Sequence, residues 1–273
     1  MTALGAQVTT LGDYLNAQRH LDRIDADALA AHVLEVGRAY LYTHPERDLG
    51  HEELARIDTL VAQRAAGTPL AYLTGHKEFW SLTLEVDTRV LIPRPETELL
   101  VEAALTRLKD GARILDLGTG SGAIALALAV ERPDCSITAT EHDPGALAVA
   151  RRNAARHGCD IRFLQCDWFG DLDRQFEVIL SNPPYIAAAD PHLDSLSCEP
   201  RKALISGADG LDDLRIIVGA APNHLAHQGW LLVEHGWDQA KRVRDLFRDA
   251  GFTALETRRD AAGHERITAG QIR

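Results

Sequence analysis

From residue 97 onward the chain switches repeatedly between helical and strand spacing. The order is helix 97–109, strand 113–117, helix 122–131, strand 136–141, helix 144–157, strands 161–165, 176–181 and 230–234, helix 239–250, and strands 254–258 and 265–269. Neighbouring parallel strands need a crossover, usually a helix, so this alternation restricts the region to a mostly parallel sheet with helices on both faces. The last two strands are separated only by Asp260-Ala261-Ala262-Gly263, short enough for a hairpin, so one strand is expected to run antiparallel. The predicted fold is α/β, a doubly wound sheet ending in a hairpin.

The front of the chain has a different period. Residues 10–73 carry apolar positions at helical spacing, namely Leu11 and Leu15, then Ile24, Ala28, Ala31 and Leu34, then Leu54, Ile57, Leu60 and Val61. A small helical bundle is expected, with Thr9 or Thr10 and Asp22 as N-caps and Gly67-Thr68-Pro69 as a stop. Residues 78–86 then alternate with period two, and Asp87-Thr88-Arg89 is read as a turn into a short strand over 90–92. The expected domains are therefore a helical unit over 1–75, a β-hairpin linker over 76–93 and an α/β domain over 94–273.

Composition narrows the function. A chain of 273 residues, 45% hydrophobic and 25% charged, can bury a full core. Its formal net charge of -11 counts against a protein that binds by neutralising many phosphates, so no direct nucleic-acid partner is expected and a protein partner is favoured. Cys135, Cys159, Cys166 and Cys198 form no C-x-x-C pair and no disulfide framework, which fits a reducing compartment. The first residues lack a basic and apolar leader, and the longest apolar run, over 123–130, is too short to span a bilayer. A cytoplasmic protein without membrane contact is expected. His224 and His227 have no carboxylate or cysteine at metal-ligand spacing, and no metal is expected.

Four of the strands end in residues suited to chemistry, and α/β sheets bind ligands at the carboxyl ends of their strands. The first runs Ile114-Leu115-Asp116-Leu117 into Gly118-Thr119-Gly120-Ser121-Gly122, a glycine-rich turn that allows close backbone approach by a nucleotide-like cofactor. Gly118, Gly120 and Ala123 also satisfy a dinucleotide fingerprint, so the loop by itself leaves NAD and S-adenosylmethionine both open. Glu141, with Asp143 as the near alternative, is placed to accept hydrogen bonds from ribose hydroxyls. Asp167 is suited to an adenine amino group and Trp168 to covering the ring.

The strand over 176–181 runs directly into Asn182-Pro183-Pro184-Tyr185. Two prolines fix φ and offer carbonyls without N–H donors, leaving a stiff acceptor edge between an amide and a phenol. Asn182 Oδ1 and the Pro183 carbonyl can each accept one hydrogen of an –NH2 group while Tyr185 stacks on the group that carries it. Such a corner suits a side-chain amide, and equally the exocyclic amine of a flipped adenine or guanine.

These motifs, together with Ala71-Tyr72-Leu73-Thr74-Gly75, Glu78-Phe79, Leu91-Ile92-Pro93-Arg94-Pro95-Glu96-Thr97-Glu98, Phe169 after Asp167-Trp168, Glu199-Pro200 and Glu234-His235-Gly236, extend along essentially the whole chain. In them the chain resembles the class I S-adenosylmethionine-dependent methyltransferases, and among those the PrmC/HemK family, which methylates the N5 amide of the GGQ glutamine in class-1 peptide chain release factors. The resemblance implies a seven-stranded Rossmann-like methyltransferase domain behind an N-terminal substrate-recognition domain. It implies S-adenosyl-L-methionine as cofactor, held by Gly118, Thr119, Gly120, Ser121, Gly122, Glu141, Asp167, Trp168 and Asn182. Asn182, Pro183, Pro184 and Tyr185 are the implied catalytic residues, class-1 release factors the partner, and a monomer the expected state. Arg94 and Glu96 are read as the pocket edge or as a linker salt bridge. Two departures stand out: Cys198 precedes Glu199-Pro200 where the family often has an aromatic, and Glu141 replaces a common aspartate.

Overall fold

The computed structural model describes residues 9–18 and 21–273. The chain forms two compact units that part between His76 and Lys77. In the first, a two-stranded sheet of β1 (Thr9–Thr10) and β2 (Asp48–Leu49) accompanies helices α1 (Leu11–Ala17), α2 (Arg23–Leu34), α3 (Arg38–Thr43), α4 (His51–Ala65) and α5 (Leu70–Thr74). Thr10 caps α1 by accepting from the Asp13 N–H, and Asp22 caps α2 by accepting from the Ile24 N–H. Leu11, Leu15, Leu29, Ile57 and Val61 meet in its core.

The sequence reading of α2 is corrected in part: Ala31 is buried and Leu34 packs against the core, but Ile24 is 57% exposed and the buried stripe also runs through Ala26, Leu29, Ala30 and Val33. The helix is turned by Asp27. Its carboxylate is fully buried and accepts from Arg23 Nε at 2.8 Å and from the Tyr42 hydroxyl. A buried charge is tolerable only when hydrogen-bonded, so these partners set the rotation at the expense of an apolar contact by Ile24.

The second unit begins with β3 (His76–Phe79) and β4 (Leu82–Glu85), followed by α6 (Glu98–Leu105), β5 (Arg113–Leu117), α7 (Ala123–Glu131), β6 (Ser136–Glu141), α8 (Pro144–His157), β7 (Ile161–Gln165) and β8 (Phe176–Ser181). Then come α9 (Asp212–His224), β9 (Leu225–Glu234), α10 (Ala240–Asp249), β10 (Thr253–Arg259) and β11 (Glu265–Gln271). The seven-stranded sheet has the order β10-β11-β9-β8-β5-β6-β7, with β11 antiparallel to both β9 and β10. β5 pairs in parallel with both β6 and β8, so the chain reverses its direction of winding beside β5. That is the switch point at which such sheets open a ligand crevice. Side chains alternate across the strands as the pleat requires: Ile114, Val178 and Leu180 face α6, α7 and α8, while Leu115, Leu117 and Ile179 face α9 and α10. Among the described residues no helix is long and apolar enough to cross a membrane.

Two elements differ from expectation. The hairpin turns at Trp80-Ser81, both at positive φ (51° and 60°), inside the run that alternation marks as one strand. Two-residue hairpin loops favour that conformation but usually announce it with glycine or asparagine. Here Trp80 is held instead by its environment: its backbone N–H donates to Glu98 and its indole N–H to Glu131. Residues 90–92 are not a strand, because the Ile92 N–H donates to the Glu199 carboxylate rather than to a neighbouring strand. Of helix α9 the sequence reading gives only an end near His224 and not its extent; Pro222 interrupts its pattern, yet Leu214, Ile217, Val218 and Ala221 are buried against the sheet.

Candidate active site

A cavity of about 470 Å³ opens at the carboxyl ends of β5, β6 and β8, within the range of small-molecule sites. Its wall is the loop after β5. Thr119 is pinned twice, its N–H donating to the Thr140 carbonyl at 2.9 Å and its hydroxyl to Asp116 Oδ2 at 2.6 Å. Gly120 donates its N–H to Glu141 Oε2 at 2.9 Å, and the Ser121 carbonyl accepts from Asn153 Nδ2 of α8 at 2.9 Å. The loop is thereby built before any ligand arrives.

Gly118, Thr119, Gly120, Ser121, Glu141, Asp167, Trp168, Asn182 and Pro184 all line this one cavity. Gly122, Pro183 and Tyr185 do not; Gly122 instead starts α7, its carbonyl accepting from the Leu126 N–H. The Trp168 ring lies against Gly118, where φ is +68° and an added Cβ would stand 3.1 Å from the indole. Glu141 also accepts from the Asp143 N–H, which leaves two of its four lone-pair directions for hydroxyl donors. Asp143 is occupied as the cap of α8, accepting from Gly145 and Ala146. Asp167 is at the exposed rim, its Oδ1 2.7 Å from His142 Nδ1.

At the opposite end, Asn182 Nδ2 donates to Thr97 Oγ1 at 3.0 Å, and the Thr97 hydroxyl donates to Glu234 Oε2 at 2.7 Å. The Tyr185 hydroxyl donates to the other carboxylate oxygen at 3.2 Å. Burial pushes the Tyr185 phenol well above its usual pKa, so it stays a donor, and pushes Glu234 up to about 7 against the pull of the Thr97 and Tyr185 hydrogen bonds. Arg94 lines the cavity and pairs with buried Glu199, which also holds the Ile92 N–H; that ion pair secures the loop over 92–94 at the rim.

Residues 95–204 match the family model described as Methyltransferase small domain, and residues 11–75 the one described as PrmC N-terminal domain. The release factor glutamine methyltransferase of Xylella fastidiosa is 48% identical over 261 residues, covering 93% of this chain and 95% of the relative. That of Escherichia coli is 47% identical over 254 residues, covering 91% and 92%. The chain belongs to the release factor glutamine methyltransferase family. A crystal structure of a methyltransferase from Pyrococcus furiosus shares the fold, with a TM-score of 0.55 at 20% identity over 78% of this chain and 96% of the other.

Membership makes the chain an S-adenosylmethionine-dependent methyltransferase, and the cavity fits that cofactor. Trp168 and the loop over 118–121 line the same cavity, and Glu141 retains acceptor capacity for a ribose. Asp116 contributes an observation that the motif reading passed over. It is fully buried, and its Oδ1 has no hydrogen-bond partner among the described residues. Asp116 does not line the cavity; the Thr119 hydroxyl donates to its Oδ2 and the Ala125 N–H of α7 also favours its charged form, so it braces the glycine loop from beneath. The one signal for it in the sequence is an acid inside the apolar run before Gly118. Asn153 was not foreseen as part of the site, and Thr97 and Glu234 stood in the motifs with no role assigned, since each acts through a tertiary hydrogen bond.

Burial raises the Asp116 carboxyl from 3.8 to about 7, opposed by the Thr119 hydroxyl. A carboxyl whose folded-state pKa is raised favours folding while protonated; that contribution is complete below its unfolded value and is lost as pH rises through about 7. The ligand-free protein is therefore expected to lose stability between about pH 4 and pH 7 on this account. Asp116→Asn should lack that loss, so the melting temperature of the variant minus that of the wild type should grow across this interval. A difference independent of pH would refute the assignment.

Proposed function

We propose that this enzyme transfers the methyl group of S-adenosyl-L-methionine to the N5 amide nitrogen of the GGQ glutamine in class-1 peptide chain release factors. The observation that carries this reading is the Asn182 amide, anchored through Nδ2 so that Oδ1 is left for the same cavity the glycine loop lines. Bound S-adenosyl-L-methionine supplies an electrophilic methyl on a sulfonium, with Gly118, Thr119, Gly120, Ser121, Glu141, Asp167, Trp168 and Asn182 as the residues around it. The chain has to aim a poor nucleophile, because an amide lone pair is delocalised into its carbonyl. Asn182 Oδ1 accepts an amide hydrogen, draws density toward nitrogen and stabilises its developing positive charge; the Pro183 carbonyl, outside the cavity lining, is the acceptor assigned to the second hydrogen once the substrate is seated. Pro184 keeps that edge rigid, and Tyr185 supports it from the side of Glu234. Transfer would break the S–CH3 bond as the C–N bond forms, leaving S-adenosylhomocysteine, and the methylated nitrogen would release one proton to solvent.

The helical unit over 1–75 is assigned to recognition of the release factor, with the segment over 76–93 as the linker and 94–273 as the methyltransferase domain. A net charge of -11 disfavours a nucleic-acid substrate. The enzyme is taken to act as a cytoplasmic monomer. Labelled S-adenosyl-L-methionine should mark a class-1 release factor, and should mark neither the same factor with its acceptor glutamine replaced nor duplex DNA. Label on DNA alone would sink the proposal.

A further inference from the structure

We propose that Thr97 and Glu234 are positioning residues for methyl transfer, acting together as a polarity lock that keeps the Asn182 side chain with Oδ1 toward the acceptor nitrogen. The inference rests on the reading of Asn182 as the amide clamp and extends it to Thr97, at the cavity wall behind the Asn182 amide, and to Glu234 beneath it.

The argument is one of counting hydrogens. An asparagine side chain has nearly the same shape in its two flipped states, so shape alone does not decide whether oxygen or nitrogen faces the cavity. Only the acceptor state can receive hydrogens from an amide. The Thr97 hydroxyl has a single hydrogen, and the Glu234 carboxylate, an acceptor only when ionised, takes it at 2.7 Å. Toward Asn182, Thr97 can then only accept. At 3.0 Å this demands Nδ2 on the Thr97 side, since the flipped state would set Oδ1 against an oxygen with no hydrogen between them. Glu234 is 1% exposed and stands outside the cavity lining, so the carboxylate that takes the Thr97 hydrogen is closed to water. The second Glu234 oxygen accepts from Tyr185, so one carboxylate steadies both ends of the Asn182-Pro183-Pro184-Tyr185 corner.

The lock depends on the charge of Glu234. Facing it are the Tyr185 phenol from the corner, Arg266 from β11 and Glu96 from the turn before α6, with Arg94 near Tyr185. Protonated Glu234 can donate to Thr97 Oγ1, which frees the Thr97 hydrogen to point at Asn182 and removes the preference between the two flips. Burial already holds this carboxyl near pH 7, so the lock opens as pH falls through that region.

The test measures kcat and KM on a class-1 release factor for the wild type, Thr97→Val, Thr97→Ser, Asn182→Ala and Glu234→Gln, with calorimetric binding of S-adenosylhomocysteine to each. Thr97→Val, matched in shape but without the hydroxyl, should lower kcat by about tenfold or more while KM and product affinity stay within about twofold. Thr97→Ser should restore most of the rate. The wild-type kcat should fall below about pH 7, and Glu234→Gln should lose that acid limb whatever its plateau rate. Wild-type kcat in Thr97→Val, with Asn182→Ala inactive, would overturn the lock and leave the clamp standing. Full activity in Asn182→Ala would remove the clamp itself. An acid limb that persists in Glu234→Gln would also overturn the lock, even if Thr97→Val does not fold.

Discussion

Asn182→Ala is expected to lower kcat for methyl transfer by about 10²–10³-fold, the usual loss when one preorganised acceptor or donor is removed from a developing charge. Binding of S-adenosylhomocysteine should be nearly unchanged. The split follows from placement. The glycine loop, Glu141 and Trp168 are braced by contacts among themselves and with α8, none of which runs through the Asn182 side chain. Alanine leaves the buried Thr97 and Glu234 beside a small void and removes the acceptor that the amide hydrogens need. Single-turnover rates and calorimetry on the same preparation distinguish the two effects. Unchanged turnover would refute the clamp, and a matching collapse of product binding would show Asn182 to be a cofactor residue instead.

Gly210→Ala is expected to damage both stability and turnover from outside the cavity. Gly210 sits at φ +75°, and a Cβ there would meet the Tyr185 carbonyl oxygen at 2.3 Å and Gln239 Nε2 at 2.7 Å. These groups are already bonded, Gln239 Nε2 donating to the Tyr185 carbonyl at 2.9 Å and to the Gly210 carbonyl at 3.2 Å. The nearest obstacle is backbone, so it cannot rotate away as a side-chain tip would. Left-handed backbone in a non-glycine residue costs about 1 kcal/mol, overpacking about 1–3 kcal/mol, and a lost hydrogen bond about 1 kcal/mol. The sum, about 3–5 kcal/mol, corresponds to a fall in Tm of roughly 6–20 °C for a chain of this size. Because the displaced atom belongs to Tyr185, kcat should also drop at temperatures where the variant is fully folded. Wild-type melting and turnover would show that the loop over 207–210 yields more easily than the packing implies.

The two units differ in how far they could be read from residues alone. The parallel strands, the terminal hairpin and the helices over 144–157 and 239–250 followed from periodicity because each buries a face against one continuous sheet. The turn at Trp80-Ser81 was hidden because its strain is offset by Glu98 and Glu131, far along the chain. The rotation of α2 was hidden because Asp27 outweighs Ile24 only once Arg23 and Tyr42 are brought beside it.

Local sequence determined that a glycine loop and an Asn182-Pro183-Pro184-Tyr185 corner stand at strand ends, since turn chemistry and strand termination act over a few residues. It determined the reaction class through those motifs and the family through their full set. What only the tertiary structure decided is which way the corner is polarised. Thr97, Asn182 and Glu234 lie in three separate stretches of chain, and the direction of their shared hydrogen bonds exists only where a buried carboxylate takes the one hydrogen a threonine can give.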